Sequence, residues 1–191
     1  GFRHLFYQMA LVWLYLWESN GVISFEKVIK KEEGTSYVAN REEALKLIRD
    51  GLLFNPGPWG EHCLTAAHCA EKIASACGDM DVEKAYILGL LHDIGRKFDV
   101  TDEELTIIKT ELAKTIYDEY DRLIQLCDCL AGAEGVLDIE NRMNDVKKRY
   151  GLLSAGQSGI PISILKRYFE GKMNKDIYLI CEKDTFAPGD L

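Results

Sequence analysis

The chain has 191 residues, of which 47% are apolar and 28% are charged, and this composition is typical of a folded globular protein. Its formal net charge of −8 argues against a protein that attracts nucleic acid or an anionic membrane surface through its overall charge. An anionic substrate stays compatible with that charge, because a bound dication can dominate the local electrostatic field.

The first 39 residues contain one strongly apolar stretch, Leu5 to Trp17, followed by a mixed connector. The stretch is shorter than the roughly 20 residues that cross a bilayer. It contains Gln8, and no small-residue cleavage site follows it. We predict a helix that is buried on the core or contacts a second copy of the chain in a homodimer, in a cytoplasmic protein without a membrane span. A membrane anchor or targeting remnant is the alternative interpretation.

Residues 40–191 have helical periodicity and no alternating strand pattern, which predicts one all-α domain. Asn40 and Glu43 form a capping-box pattern at the start of a first helix, and Asn55 to Gly60 interrupts it. Small residues dominate one face of the second helix, so a neighbouring helix can pack closely against it. Further helices are predicted from Asp79 or Asp81 to Gly95, from Thr101 to Lys114, from Asp118 to Ala131, from Asp138 to Tyr150 and from Ile164 to Lys172.

The chain has six cysteines, which we predict to be reduced and mostly buried thiols. A chain of this size does not need bridging to fold, although three disulfides are the alternative interpretation. The pair Cys127-x-Cys129 lacks the two-residue spacer of common zinc knuckles. The cysteines are Cys63, Cys69, Cys77, Cys127, Cys129 and Cys181.

An adjacent imidazole and carboxylate, His92 and Asp93, follow an apolar helix, where burial of both groups is costly without a compensating partner. A divalent metal compensates both groups. His62 lies on the small-residue face of the preceding helix and can point toward His92. His68 follows six positions later, about 240° around that helix, and is interpreted as a surface or solvated core histidine. His4 is interpreted in the same way.

Asp128 is a carboxylate embedded among apolar residues, and a buried Asp normally has a partner. It is therefore the candidate for a further metal donor from a later helix. The alternative is an Asp bonded to a backbone amide or to Arg122.

The order His62 … His92-Asp93 … Asp128 resembles the H…HD…D pattern of the HD phosphohydrolase superfamily. The residues around this pattern resemble the bacterial HDIG branch, and the resemblance covers about residues 40–150. The residues that carry this closer resemblance are Asn55-Pro56-Gly57-Pro58-Trp59, Glu61-His62-Cys63 with the alanines that follow, and the run from Ala85 to Arg96.

The resemblance implies an HD-domain helical bundle that binds one or two divalent metal ions and hydrolyses phosphate esters, commonly of nucleotides. The expected cofactor is one ion of manganese, iron, cobalt, nickel, zinc or magnesium, which activates a water. Asp93 is then both a ligand and a catalytic residue that orients the water. The ligands that the resemblance implies are His62, His92, Asp93 and Asp128.

Arg96 and Lys97 directly follow the HDIG run and are candidates to bind the substrate phosphate. A solvated basic turn at the end of a helix is the alternative interpretation of this pair.

The sequence also departs from the resemblance in two places. No histidine follows His92, so the extra histidines of two-metal members are missing, and the stretch from Phe98 to Thr101 is short where many members carry a helical insertion. These departures count against catalysis more than against metal binding. The short central region and the apolar N-terminus favour a second hypothesis, a degenerate HD domain that serves as a metal- or nucleotide-binding regulatory or interaction module. A helical scaffold without metal is the third.

Overall fold

The structure of the chain, a computed structural model, describes residues 40–94, 118–150 and 160–181. These residues form helices and one hairpin of two short strands, and the predicted all-α fold class is confirmed. None of the described helices is both long enough and apolar enough to cross a bilayer. The elements in chain order are α1 (Arg41–Phe54), α2 (Trp59–Cys77), α3 (Val82–Leu91), α4 (Glu119–Leu130), β1 (Ala131–Gly132), β2 (Gly135–Val136), α5 (Ile139–Tyr150), α6 (Ile162–Met173) and α7 (Ile177–Ile180).

Two parts of the sequence-based prediction lie outside the described residues. One is the apolar stretch Leu5 to Trp17 with its connector, and the other is the predicted helix from Thr101 to Lys114. Their structures stay predictions.

Side-chain caps fix where several helices begin. The Asn40 side chain accepts a hydrogen bond from the backbone N–H of Glu43 at 3.0 Å, and the Glu43 carboxylate accepts one from the backbone N–H of Asn40 at 3.0 Å. This is the predicted capping box of α1. Asp81, rather than Asp79, caps α3, and Asp118 caps α4. These caps satisfy backbone N–H groups that a helix leaves without a partner at its start.

Helix α2 is the centre of the described fold, because it contacts α1, α3, α4, α6, α7 and the hairpin. One hydrophobic core, which includes Ile73, Leu123 and Phe169, lies mainly between α2, α4, α6 and α7. A second core, which includes Ile48 and Leu90, lies between α1, α2 and α3. The two faces of α2 are therefore buried in two different cores.

Helix α3 packs closely on α2 at Gly89, as a helix with many small residues allows, although the tightest contact is with Ala67, beside the small-residue face that the sequence indicated. A Cβ atom at Gly89 would lie 2.7 Å from the Cα of Ala67 and 2.9 Å from the carbonyl oxygen of Ala66. Real Cβ atoms essentially never come this close to another heavy atom. The close approach brings the end of α3 next to the beginning of α2.

The hairpin was not predicted from the sequence, which indicated helix through Ala131. Instead, α4 ends at Leu130, and Ala131–Gly132 pairs antiparallel with Gly135–Val136. Gly135 has a φ of +117°, a conformation that residues with a Cβ rarely adopt. Strands of two residues are too short to show an alternating pattern, so the hairpin could not be predicted from the periodicity of the sequence.

All six cysteines lie in the described part of the chain, and all are free thiols. Cys63, Cys69, Cys127 and Cys181 are buried. The prediction of reduced, mostly buried thiols is confirmed.

Arg41, at the beginning of α1, connects three helices through its guanidinium group. Nη2 donates to Glu71 of α2 at 2.7 Å and to Glu83 of α3 at 2.8 Å, and the group lies 3.6 Å from the ring centre of Tyr86. The ammonium group of a lysine can reproduce neither the planar set of guanidinium donors that binds both glutamates nor the stacking on the ring of Tyr86.

We expect Arg41→Lys to lower the free energy of unfolding by about 1 kcal/mol. Urea unfolding followed by circular dichroism measures this change. The control is Lys46→Gln, which removes only an exposed pair with Asp50 within one helix and should cost under about 0.5 kcal/mol. An equal loss of unfolding free energy in the two variants would show that the paired contacts and the ring stacking of Arg41 contribute no additional stability.

Candidate functional site

Four of the side chains singled out in the sequence lie together where the ends of three helices meet. His62 is in the first turn of α2, His92 caps the end of α3 and Asp93 follows it, and Asp128 is in the last turn of α4. The Nε2 atom of His62 lies 3.2 Å from Nε2 of His92 and 3.2 Å from Oδ1 of Asp128. We call these four residues the His–Asp cluster.

Three further distances describe the His–Asp cluster. His92 Nε2 lies 3.6 Å from Oδ1 of Asp128. Oδ2 of Asp93 lies 3.7 Å from His62 Nε2 and 3.9 Å from His92 Nε2. Each of the two Nε2 atoms therefore lies within 4 Å of both carboxylates.

Backbone carbonyl groups determine how the two imidazoles face each other. Nδ1 of His62 lies 3.1 Å from the carbonyl oxygen of Ala131, and Nδ1 of His92 lies 2.7 Å from that of Gly89. Because a carbonyl oxygen can only accept, each Nδ1 carries a proton and donates it. In the neutral rings both Nε2 atoms then present lone pairs to each other, and at 3.2 Å they need a proton or a cation between them.

The donor set fits a divalent metal ion. Metal–ligand bonds of about 2.1 Å place neighbouring donor atoms about 3.0–3.4 Å apart. Of the five distances given above, two are 3.2 Å and three lie between 3.6 and 3.9 Å. Imidazole nitrogen and carboxylate oxygen are the donors that transition metals such as zinc, iron and manganese use in proteins. His62, His92 and Asp93 could hold a metal ion, since their donor atoms all lie within 4.8 Å of one another, and Asp128 adjoins both imidazoles.

Two of the three helix ends at the His–Asp cluster favour a cation. Helices α3 and α4 direct their C-terminal ends, which carry partial negative charge, at the cluster, whereas α2 directs its partly positive N-terminal end there. Neither of these two helices has a lysine or arginine in its last turn. Together with the two carboxylates, these two helix ends make the electrostatic potential at the cluster more negative, which favours binding of a positive charge.

The pKa shifts of His92 and Asp128 also indicate that positive charge is favoured in the cluster. Burial alone lowers the pKa of His92, but the Asp128 carboxylate, the charge of Asp93 and the Gly89 carbonyl outweigh burial and raise this pKa above its ordinary value. Burial of Asp128 acts toward a higher pKa, yet its contacts with His62 and His92 hold the pKa well below the usual range. Asp128 is therefore a carboxylate that stays ionised.

Exposure differs across the cluster and shows where it opens. The side chain of His92 is 7% exposed and that of Asp93 is 17% exposed, whereas that of Asp128 is 43% exposed. Among these residues, solvent reaches the cluster most easily beside Asp128.

Other candidates from the sequence lie elsewhere. His68 Nδ1 lies 3.3 Å from a carboxylate oxygen of Glu71, and its ring meets the ring of Tyr86 edge-on, in line with its different direction on α2. The alternative partner of Asp128, Arg122, is not needed to account for the carboxylate, which faces the two histidines. Arg96 and Lys97 lie outside the described residues.

Sequence reasoning missed the two carbonyl groups, those of Gly89 and Ala131, that hold the imidazoles. A backbone acceptor has no side-chain pattern of its own. The available signal was the glycine pair Gly132 and Gly135 directly after Asp128, which indicates a turn rather than a longer helix.

A model of the HD domain family matches residues 59–167, which is more than half of the chain. The chain belongs to the HD domain family. The matched range runs from the start of α2 into α6 and contains every residue of the His–Asp cluster. Searches of curated proteins and of solved structures found no match to this HD domain. The family resemblance of the sequence is thus confirmed.

Proposed function

We propose that this HD domain is a metal-dependent phosphohydrolase that acts on a nucleotide or another small phosphate ester. The proposed ligands of one divalent metal ion are His62, His92, Asp93 and Asp128. The observation that supports this proposal best is the pair of Nε2 lone pairs facing each other at 3.2 Å beside two carboxylates. Membership in the HD domain family favours phosphate-ester hydrolysis as the reaction class.

The chain supplies binding and orientation in this reaction. A bound metal ion would polarise a phosphoryl oxygen and lower the pKa of a water in its coordination sphere. The carbonyls of Ala131 and Gly89 keep the Nε2 lone pairs of His62 and His92 directed into the cluster. We assign Asp93 the second role of orienting the attacking water, because its largely buried carboxylate lies beside both imidazoles.

The exposed side of the cluster accounts for substrate access. Asp128 is its most exposed member, so a phosphate ester reaches the ion past this residue. We propose that Arg96 and Lys97, which follow Asp93 closely in the sequence, bind the substrate phosphate. Cationic side chains here would offset the negative charge that the two carboxylates and the C-terminal ends of α3 and α4 present to the substrate.

The remaining organisation of the chain is also a proposal. Residues 40–191 form the HD domain with its C-terminal helices, and residues 1–39 form an apolar helix with a connector that supports a homodimer. Six free thiols favour a reducing compartment such as the cytoplasm.

Metal analysis of the purified protein tests the ligand assignment. We expect a near-stoichiometric divalent metal in the wild type, after incubation with excess ion and desalting, and its loss in His62→Ala, His92→Ala and Asp128→Ala. The matched control is His68→Ala, which removes a histidine of the same helix that lies outside the cluster and should keep the wild-type metal content. Full metal occupancy in His92→Ala would contradict the assignment.

Turnover separates the proposed enzyme from the alternative function, a metal- or nucleotide-binding regulatory module. The observation that favours the module is that no histidine follows His92 in the sequence. Generic phosphomonoesters and a panel of nucleotides are incubated with the metal-loaded wild type and with His68→Ala and His92→Ala. Hydrolysis by the wild type and by His68→Ala, but not by His92→Ala, supports the phosphohydrolase. Stoichiometric metal without turnover of any of these compounds would favour the module.

A further inference from the structure

The short segment from Asp128 to Ala131 contacts both ring nitrogens of His62. The Asp128 carboxylate oxygen lies 3.2 Å from Nε2, and the carbonyl oxygen of Ala131 lies 3.1 Å from Nδ1. The segment therefore reaches the ring of His62 from two sides, although 66 or more positions separate it from His62 in the chain. A small displacement of this segment changes both contacts together.

The register of the hairpin explains why the Ala131 carbonyl is available to His62. The backbone N–H of Leu137 donates to the carbonyl of Leu130 at 2.7 Å, and Ala131 lies opposite Val136. Hydrogen-bonded and non-hydrogen-bonded pairs alternate along an antiparallel ladder, so Ala131 occupies a non-hydrogen-bonded position. Its carbonyl consequently points away from β2 and toward α2.

Two glycines allow the chain to turn back within four residues. Gly135 has a φ of +117°, and a Cβ built on it would meet no atom within 4 Å. Glycine is therefore favoured at this position by its backbone conformation and not by a lack of space. A Cβ at Gly132 would lie 3.0 Å from the carbonyl oxygen of Gly135 and 2.9 Å from a side-chain carbon of Leu137. The hairpin thus depends on glycine at both positions.

We propose that the hairpin Ala131–Val136 is a positioning element of the metal site, which fixes the orientation of His62 and keeps its ring proton on Nδ1. Gly135 and Gly132 are its positioning residues. The part that concerns metal affinity depends on the proposed function. The part that concerns the ring of His62 does not, because it is a property of the protein without metal.

A matched pair of glycine variants tests the proposal. Gly135→Ala introduces an unfavourable φ into the hairpin, whereas Gly78→Ala does so at a φ of +79° beyond the opposite end of α2, about 24 Å along the helix from His62. Neither added Cβ meets another atom within 4 Å. Both variants therefore carry backbone strain without a steric clash, and only one of them carries it next to the site.

Two measurements are made on the full chain. Nitrogen-15 NMR of the metal-free protein, with the His62 signals assigned through His62→Gln, shows which ring nitrogen carries the proton. Titration with zinc, cobalt and manganese in competition with a chelator gives the dissociation constants. We expect a proton on Nδ1 of His62 in the wild type and in Gly78→Ala, and a mixture of tautomers in Gly135→Ala. We also expect about 10- to 100-fold weaker metal binding in Gly135→Ala than in Gly78→Ala.

Each outcome decides the proposal. A wild-type His62 ring that carries its proton on Nε2 and none on Nδ1 would overturn it, as would a Gly135→Ala variant that keeps the tautomer and the affinity of Gly78→Ala. If the wild type binds none of the three metals, the proposed function fails, and the NMR result alone then supports or overturns the role of the hairpin. If Gly135→Ala does not fold, Gly132→Ala takes its place, with the same expected results.

Discussion

The Gly89→Ala variant is expected to have a free energy of unfolding about 1–3 kcal/mol lower than the wild type. The added Cβ would meet the Cα of Ala67 at 2.7 Å and the carbonyl oxygen of Ala66 at 2.9 Å. Both contacts are with the backbone of α2, which cannot rotate away as a side chain can. Helices α2 and α3 must therefore separate, and the second core, which includes Leu90, loses packing.

The same substitution at Gly171 of α6 is the control. Gly171 is an exposed helical residue whose added Cβ would meet no atom within 4 Å. Alanine has the higher helix propensity, so Gly171→Ala is expected to raise the free energy of unfolding by up to about 1 kcal/mol. Urea unfolding of both variants measures the difference. Changes of the same sign would show that the contact between Gly89 and α2 is not as tight as the structure has it.

Excess metal is expected to stabilise the wild type by about 2.7 kcal/mol when the free ion is present at 100 times its dissociation constant. The reason is linkage: the donors of the His–Asp cluster come from α2, α3 and α4, which are brought together only in the folded chain. Thermal unfolding with and without the metal that binds most tightly measures the effect. A chelator should reverse it.

Two variants define the origin of this stabilisation. His92→Ala removes a donor and should abolish the response to metal, whereas His68→Ala, altered beside Glu71 and Tyr86, should respond like the wild type. Nonspecific metal binding would appear as an equal response in all three proteins. A response that His92→Ala retains in full would place the ion away from the His–Asp cluster.

The residues that could be predicted from the sequence are those whose chemistry is costly without a partner. Asp128 among apolar residues and His92 beside Asp93 are of this kind, and the structure brings them together with His62. Helix starts were also predictable, because the caps at Asn40 and Asp118 satisfy backbone groups through bonds within a few residues.

The parts that could not be predicted depend on long-range backbone geometry. The carbonyl of Ala131 meets His62 across 69 positions of sequence, and nothing in the side chain of alanine indicates it. The hairpin and the four-residue helix α7 are too short for any periodicity to appear. The contact of Gly89 with Ala67 was predictable as a tendency for close packing, but not as a particular pair of residues.

The position of α2 between two cores has a consequence for the rate of metal uptake. The helices that carry His62, His92 and Asp128 are anchored by packing that involves no ion, so the donors are already assembled when an ion arrives. In small zinc-dependent domains, by contrast, the chain folds only as the metal binds. If this HD domain holds the proposed ion, its ordering entropy is spent during folding, and binding of the ion would be an exchange of hydration water for ligands that are already in place around Asp128.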